Sequence, residues 1–203
     1  RQGDIYAKTD FVRDANGNID ISQDLKPRDK YMKLGSILPD ANLGWRNDFS
    51  YKQLSFGFML SARLGGIVIS GTQAAMDYSG VSKVTADARN AGGVPVGGGI
   101  VVPAQKYYQL QGRPKDYLTQ YYTYNATNLR LREAYIAFNI PRKWLGNVVD
   151  LNISLTGKNL WMIYNKAPFD PETIASTGNY AQGIDYFMLP STRSFGFSIK
   201  ARF

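Results

Sequence analysis

Cysteine and histidine are both missing from the 203 residues. Their absence excludes disulfides, thiol or imidazole metal ligands, thiol nucleophiles and any triad built on an imidazole base. Long apolar runs are missing too: no stretch of about 18 apolar residues occurs, which excludes a transmembrane helix. No signal-peptide pattern follows Arg1. Blocks of positive charge are also lacking, although Lys plus Arg total 24 against 16 Asp plus Glu, a formal charge of +8. Residues 1–40 carry seven basic and seven acidic groups, 41–128 eight and four, and 129–203 nine and five. The only adjacent basic pair is Arg142-Lys143. A nucleic-acid-binding surface concentrates its cations, so this thin spread argues against one.

What the chain does hold is 14 Tyr, 10 Phe, 20 Gly and 9 Pro, a profile suited to short strands and long loops more than to helices. Alternation of period two is clearest at the end. Phe195, Phe197, Ile199, Ala201 and Phe203 alternate with Ser194, Gly196, Ser198, Lys200 and Arg202, which predicts a strand with one apolar and one polar face. Leu54, Phe56, Phe58, Leu60 and Ala62 repeat the pattern, as do Leu43, Trp45, Phe49 and Tyr51, with only Lys52-Gln53 between the two runs. Ala134, Ile136, Phe138 and Ile140 form another face, and Leu151, Ile153 and Leu155 the next. Five strands are therefore expected, near 41–51, 53–69, 129–140, 150–164 and 193–203. The turns at 52–53 and 141–149 are short, whereas 70–128 and 165–192 are long, and residues 1–40 have the character of a third long loop. Loops of that length are usually functional.

One-sided strands with short turns at one end and long loops at the other describe an outer-membrane β-barrel. Aromatics near strand ends (Trp45, Phe49, Tyr51, Trp144, Trp161, Phe203) suit an interface girdle. A soluble sandwich also alternates, so a soluble β-rich glycan-binding module stands as the other reading. Five strands cannot close a barrel, so on the membrane reading the chain is a segment of a larger wall.

Several stretches carry a family resemblance. Leu129-Arg-Leu-Arg-Glu-Ala-Tyr-Ile-Ala-Phe-Asn-Ile-Pro141, Ser154-Leu-Thr-Gly-Lys-Asn-Leu160, Ala167-Pro-Phe-Asp-Pro-Glu172 and Gly183-Ile-Asp185 resemble the penultimate barrel region of SusC/RagA-type TonB-dependent transporters. Leu189-Pro-Ser-Thr-Arg-Ser-Phe-Gly-Phe-Ser-Ile-Lys-Ala-Arg-Phe203 resembles their closing strand, and Gly3-Asp4-Ile5, Asp14-Ala-Asn-Gly17 and Phe49-Ser-Tyr-Lys52 fall in the family's order. The resemblance implies an all-β fold: residues 1–203 as an antiparallel transmembrane segment, the final five strands of a barrel of about 22, with long extracellular loops, in a protein about five times longer. It implies an outer-membrane importer of Bacteroidetes, not an enzyme, that takes up oligosaccharide or peptide. A SusD-like lipoprotein would be its lid, and the TonB complex would act through an N-terminal plug outside this chain. No cofactor is implied.

Asp14-Ala-Asn-Gly-Asn-Ile-Asp20 suggests a calcium loop, but placing Gly17 at the loop's glycine position puts Val12 and Gln23 where carboxylates belong, so an Asx turn is the better reading. Asp170 and Glu172 flank Pro171 too closely in sequence to make a convincing glycosidase pair. Gly97-Gly98-Gly99 lacks the Lys-Ser/Thr of a phosphate loop, and Asn125-Ala-Thr127 is a chance glycosylation match. Tyr107, Tyr108, Tyr121, Tyr122 and Tyr124 are candidates for lid or substrate contact, with loop self-packing as the alternative. Phe195, Phe197 and Phe203 are expected on the lipid face, the terminal aromatic resembling a barrel-assembly signal. Arg130, Arg132 and Arg193 share parity with lipid-facing neighbours at the outer strand ends, which suggests contact with lipopolysaccharide phosphates. A bulge that turns Arg130 and Arg132 inward is the alternative, because Leu129 and Leu131 have the opposite parity.

Overall fold

Each run of alternating residues forms a strand, and pairing in register turns those alternations into two continuous faces. The computed structural model describes residues 3–175 and 182–202. In chain order these contain β1 (Asp4–Asp10), β2 (Lys26–Ser36), β3 (Ala41–Tyr51), β4 (Leu54–Leu64), β5 (Ile67–Ser70), α1 (Gly71–Tyr78), α2 (Lys83–Asn90), β6 (Val94–Gly97), β7 (Ile100–Val102), α3 (Ala104–Gln111), β8 (Thr123–Asn125), β9 (Asn128–Ile140), β10 (Asp150–Asn165), β11 (Ile184–Asp185) and β12 (Ser194–Arg202). They divide into two compact units. One is drawn from Arg1–Leu38, Gly66–Asn125 and Ile174–Met188, the other from Pro39–Gly65, Ala126–Thr173 and Leu189–Phe203.

The second unit is an antiparallel sheet in the order β12-β10-β9-β4-β3. Registers align apolar rows across it. Phe49, Phe56, Ile136, Leu155 and Phe197 form one row; Tyr51, Leu54, Phe138, Ile153 and Ile199 form the next. Trp45, Trp161, Phe195 and Phe197 on this face are 60–73% exposed. Such a face, uncovered on a sheet five strands wide, is the pattern of an interaction or membrane surface. The opposite face carries rows such as Asp48, Gly57, Tyr135, Thr156 and Gly196.

Period two breaks once, and the sheet accommodates it with a bulge. Glu133 pairs with Met59 and Lys158, but Leu131 pairs with Leu60 and Trp161. Arg132 is thus the extra residue against β4. One inserted residue flips parity, so Leu129 and Leu131 join Ala134, Ile136 and Phe138 on the apolar face. Arg130 moves to the polar face. The expected lipid-side placement of Arg130 and Arg132 is corrected by this bulge.

The other unit departs from the loops expected at 1–40 and 70–128. The first of these stretches forms the antiparallel pair β1–β2. The second contains three eight-residue helices, two of them capped by Ser70 and Ser82, whose hydroxyls accept from the backbone of Gln73 and Thr85. The strand expected over 53–69 stops at Leu64, because Gly65 and Gly66 both take positive φ, and resumes as β5. β5 lies between β8 and a parallel β11. Gly97, Gly98 and Gly99 all have positive φ and close the β6–β7 hairpin, a turn that side chains rarely permit. The core of this unit gathers Phe11, Val96, Val102, Ala104, Tyr107, Tyr108 and Leu118, with Phe11 stacked on Tyr107 at 5.1 Å.

Candidate functional site

The polar face of the five-stranded sheet is built by close approach across a glycine. A Cβ on Gly57 would lie 2.5 Å from Asp48 Oδ1 and 2.6 Å from the Tyr135 ring. Glycine there lets Tyr135, on β9, pass over β4 and donate its hydroxyl to Asp48 on β3 at 2.8 Å. Arg46 Nε donates to the same carboxylate at 2.8 Å. One register step away, Glu133 stands opposite Lys158. The face therefore presents charges of both signs and hydroxyls, a surface suited to polar solutes.

At the bulged end of β9 lies a denser cluster. Arg130 is 3% exposed, and its guanidinium is held by Asp170 in two contacts, one of them at 3.1 Å. Asp170 also accepts from the Ser191 hydroxyl at 2.6 Å, the Ser191 amide at 3.2 Å and the Glu172 amide at 3.1 Å. Burial pushes the Asp170 carboxyl up, but the bonds from Arg130, Ser191 and Glu172 outweigh it and hold it well below the usual carboxylate range. Arg132 pairs with Glu172 and donates from Nε to Ser61 Oγ at 3.0 Å. Nearby, Asn159 donates to the Thr192 carbonyl at 3.2 Å. The cluster thus fastens segments 166–173 and 189–193 to the strands.

This arrangement corrects the expected lipopolysaccharide contact of Arg130 and Arg132. Arg130 has no exposed charge to offer lipopolysaccharide, and Arg132 is engaged by Glu172 and Ser61. Asp170 and Glu172 anchor guanidiniums, in keeping with the reading against a glycosidase pair. Arg193 stays exposed at the approach to β12. Sequence reasoning missed Ser191 and the joining of Arg130 to Asp170. The available signal was the parity conflict between Arg130/Arg132 and Leu129/Leu131.

The tyrosines separate by burial. Tyr107, Tyr108 and Tyr122 are 9%, 8% and 1% exposed and belong to the cores of their unit, the self-packing that stood as the alternative to lid or substrate contact. Burial pushes the Tyr107 and Tyr122 hydroxyls far above their ordinary pKa. Tyr121 is exposed and Tyr124 half-buried, so these two keep an accessible surface. Phe195 and Phe197 lie on the uncovered apolar face; Phe203 lies outside the described residues. Asp14 accepts from the amides of Asn16 and Asn18 at 2.8 and 2.9 Å, an Asx turn. Among the described residues, no group of three or more carboxylates converges as a metal site.

With this geometry in place, the likeness to known proteins is specific. No protein-family model matches the chain. TonB-dependent receptor P3 of Formosa agariphila is 26% identical over 99% of the chain, and TonB-dependent receptor P26 of the same organism is 27% identical over 94%. The chain spans about a fifth of the length of these curated relatives, 20% and 19%. Among solved structures, the RagAB peptide importer in its "closed-closed" state matches 97% of the chain with a TM-score of 0.58 and 16% identity, over 22% of that chain. The chain resembles a part of SusC/RagA-type TonB-dependent transporters, in sequence through the receptors and in fold through the importer. These relatives are receptors and transporters, not enzymes.

Proposed function

We propose that residues 1–203 are the C-terminal portion of the barrel of a TonB-dependent importer in a bacterial outer membrane. The observation that carries this reading is the uncovered apolar face of β12-β10-β9-β4-β3, backed by a face of Asp48, Glu133, Tyr135 and Lys158. Lipid contact on one side and a polar passage on the other account for both. Further strands continue the wall, since strands within hydrocarbon leave no backbone group unpaired. On this reading the loop-derived unit is extracellular and meets a SusD-like lipoprotein lid through surfaces that include Tyr121 and Tyr124. Arg193, exposed at a strand end, meets lipopolysaccharide. The TonB complex supplies energy through a plug elsewhere in the protein, and the cargo is an oligosaccharide or peptide.

Membrane fractionation of cells expressing the full-length protein tests the proposal. Extraction only by detergent, with migration that shifts on heating, is expected. Recovery in the soluble fraction without detergent would overturn it in favour of a soluble β-rich module.

A further inference from the structure

The segment between β1 and β2 holds the chain's one Asn-Gly pair, Asn16-Gly17. Asp14 organises the turn around it. The Asp14 carboxylate accepts from the amides of Asn16 and Asn18 at 2.8 and 2.9 Å, and its carbonyl accepts from the Gly17 amide at 3.0 Å. Arg13 Nη1 donates to the Gly17 carbonyl at 2.9 Å, and the Asp14 amide donates to the Asn18 carbonyl at 2.9 Å. The backbone is therefore held on both sides of Asn16.

The Asn16 side chain is left loose. It is exposed, and among the described residues nothing forms a hydrogen bond with its side-chain amide. Gly17 is open as well: a Cβ built there would meet no atom within 4 Å. Neither a side chain of its own nor a neighbour on that side screens the Gly17 nitrogen, which lies one residue beyond an untethered carboxamide.

We propose that Asn16 is a site of spontaneous deamidation. The Gly17 nitrogen loses its proton to base and its bond to the Asp14 carbonyl, then attacks Cγ of Asn16. An N–Cγ bond forms, the Cγ–Nδ2 bond breaks, and Nδ2 leaves as ammonia, taking one proton from water. Water then opens the cyclic imide. Opening at Cγ gives aspartate; opening at the main-chain carbonyl gives isoaspartate, whose backbone runs through Cβ. Nothing is oxidised or reduced, and water is the sole co-reactant.

The product changes the turn, as covalent modifications do when they alter charge or chain path. Isoaspartate inserts a backbone atom between Asp14 and Asn18, whose mutual bonds close the turn. The turn in turn meets the β6–β7 hairpin: the Ile19 amide donates to the Val96 carbonyl at 3.4 Å, and a Cβ on Gly97 would lie 2.5 Å from Asn18 Oδ1. Conversion thus loosens residues 12–20 from that hairpin. The inference is independent of the importer reading, because the chemistry needs only this turn.

Peptide mapping by mass spectrometry of the folded full-length protein in detergent, aged at pH 8 and at pH 5, tests it. The fragment that begins after Arg13 should gain the mass difference between Asp and Asn, and more of it at pH 8, because the attacking nitrogen must lose a proton. Sequencing of the fragment should place the change at Asn16, and an isoaspartyl methyltransferase should label it. Asn16→Gln should lose both signals, since the longer side chain closes a larger ring less readily. Aged protein should also be cut within residues 12–20 faster than fresh protein. Absence of change at Asn16 in the folded protein overturns the proposal, and conversion of the urea-unfolded chain alone would show that the turn protects Asn16. A change confined to Asn18 overturns it too. Equal cutting of aged and fresh protein would overturn the loosening of the turn.

Discussion

Arg130 and Asp170 lie 40 positions apart in the chain, yet they form an ion pair whose side chains are only 4% and 9% exposed. The bulge at Arg132 makes this possible by turning Arg130 to the polar face, where the loop after β10 can reach it. A parity break and a loop anchor are thus one feature.

Removing one partner of a buried pair strands the other charge and costs about 3–5 kcal/mol, whereas replacing both with apolar groups costs much less. Arg130→Met and Asp170→Asn should each lower the urea midpoint of the assembled protein, read from its heat-modifiable migration. The double variant Arg130→Met with Asp170→Leu should recover part of that loss. Because the folded-state pKa of Asp170 is depressed, its contribution is complete above the ordinary carboxylate pKa. It is lost only as pH falls below that range toward the depressed value. Mildly acidic buffer should therefore leave the loop anchored, and a midpoint in the wild type that drops between pH 7 and pH 5 through this pair alone would contradict the assignment.

Face assignment on β12 can be read with two neighbouring substitutions. A basic residue facing the membrane midplane costs about 2–4 kcal/mol. Phe197→Arg should reduce the assembled fraction in the outer membrane, while Ser198→Arg, on the polar face beside Ser154, should assemble near wild-type levels. Equal loss from both would remove the distinction between the faces.

The tyrosines should behave as their burial dictates. Tyr122→Ala leaves a cavity at a site 1% exposed, a change that costs about 3–5 kcal/mol for a large aromatic. It should open residues 66–125 to protease in the intact membrane protein. Tyr121→Ala, at a site 40% exposed, should leave protease resistance unchanged and act, if at all, on lid affinity.

Orientation follows from strand direction. If residues 141–149 are periplasmic, a cysteine at Lys143 should resist an impermeant thiol reagent in intact cells. One at Val81, 72% exposed in the segment after α1, should label. Residues 1–203 contribute no native cysteine to the reading. Labelling at Lys143 alone would invert the topology.

The sequence by itself determined the five-stranded sheet. Period two in 41–51, 54–62, 134–140, 151–155 and 194–202 dictated which residues lie together, because a strand has only two faces and a slip of one residue exchanges them. Hairpins closed by short turns paired β3 with β4 and β9 with β10 as expected. The likeness to TonB-dependent transporters was legible for the same reason, since most of its pieces fall in or beside those strands, while Gly3-Asp4-Ile5, Asp14-Ala-Asn-Gly17 and Gly183-Ile-Asp185 lie in the other unit. Tertiary structure decided the rest. Whether Arg130 kept the parity of Ile136 depended on an inserted residue whose effect appears only against the partner strands. Short helices such as Gly71–Tyr78 form through serine caps and packing on one another, so they leave little periodic trace in a segment rich in glycine and tyrosine. Which tyrosines are buried, and that Asp170 meets Arg130, required segments far apart in the chain to meet, and no local pattern encodes that.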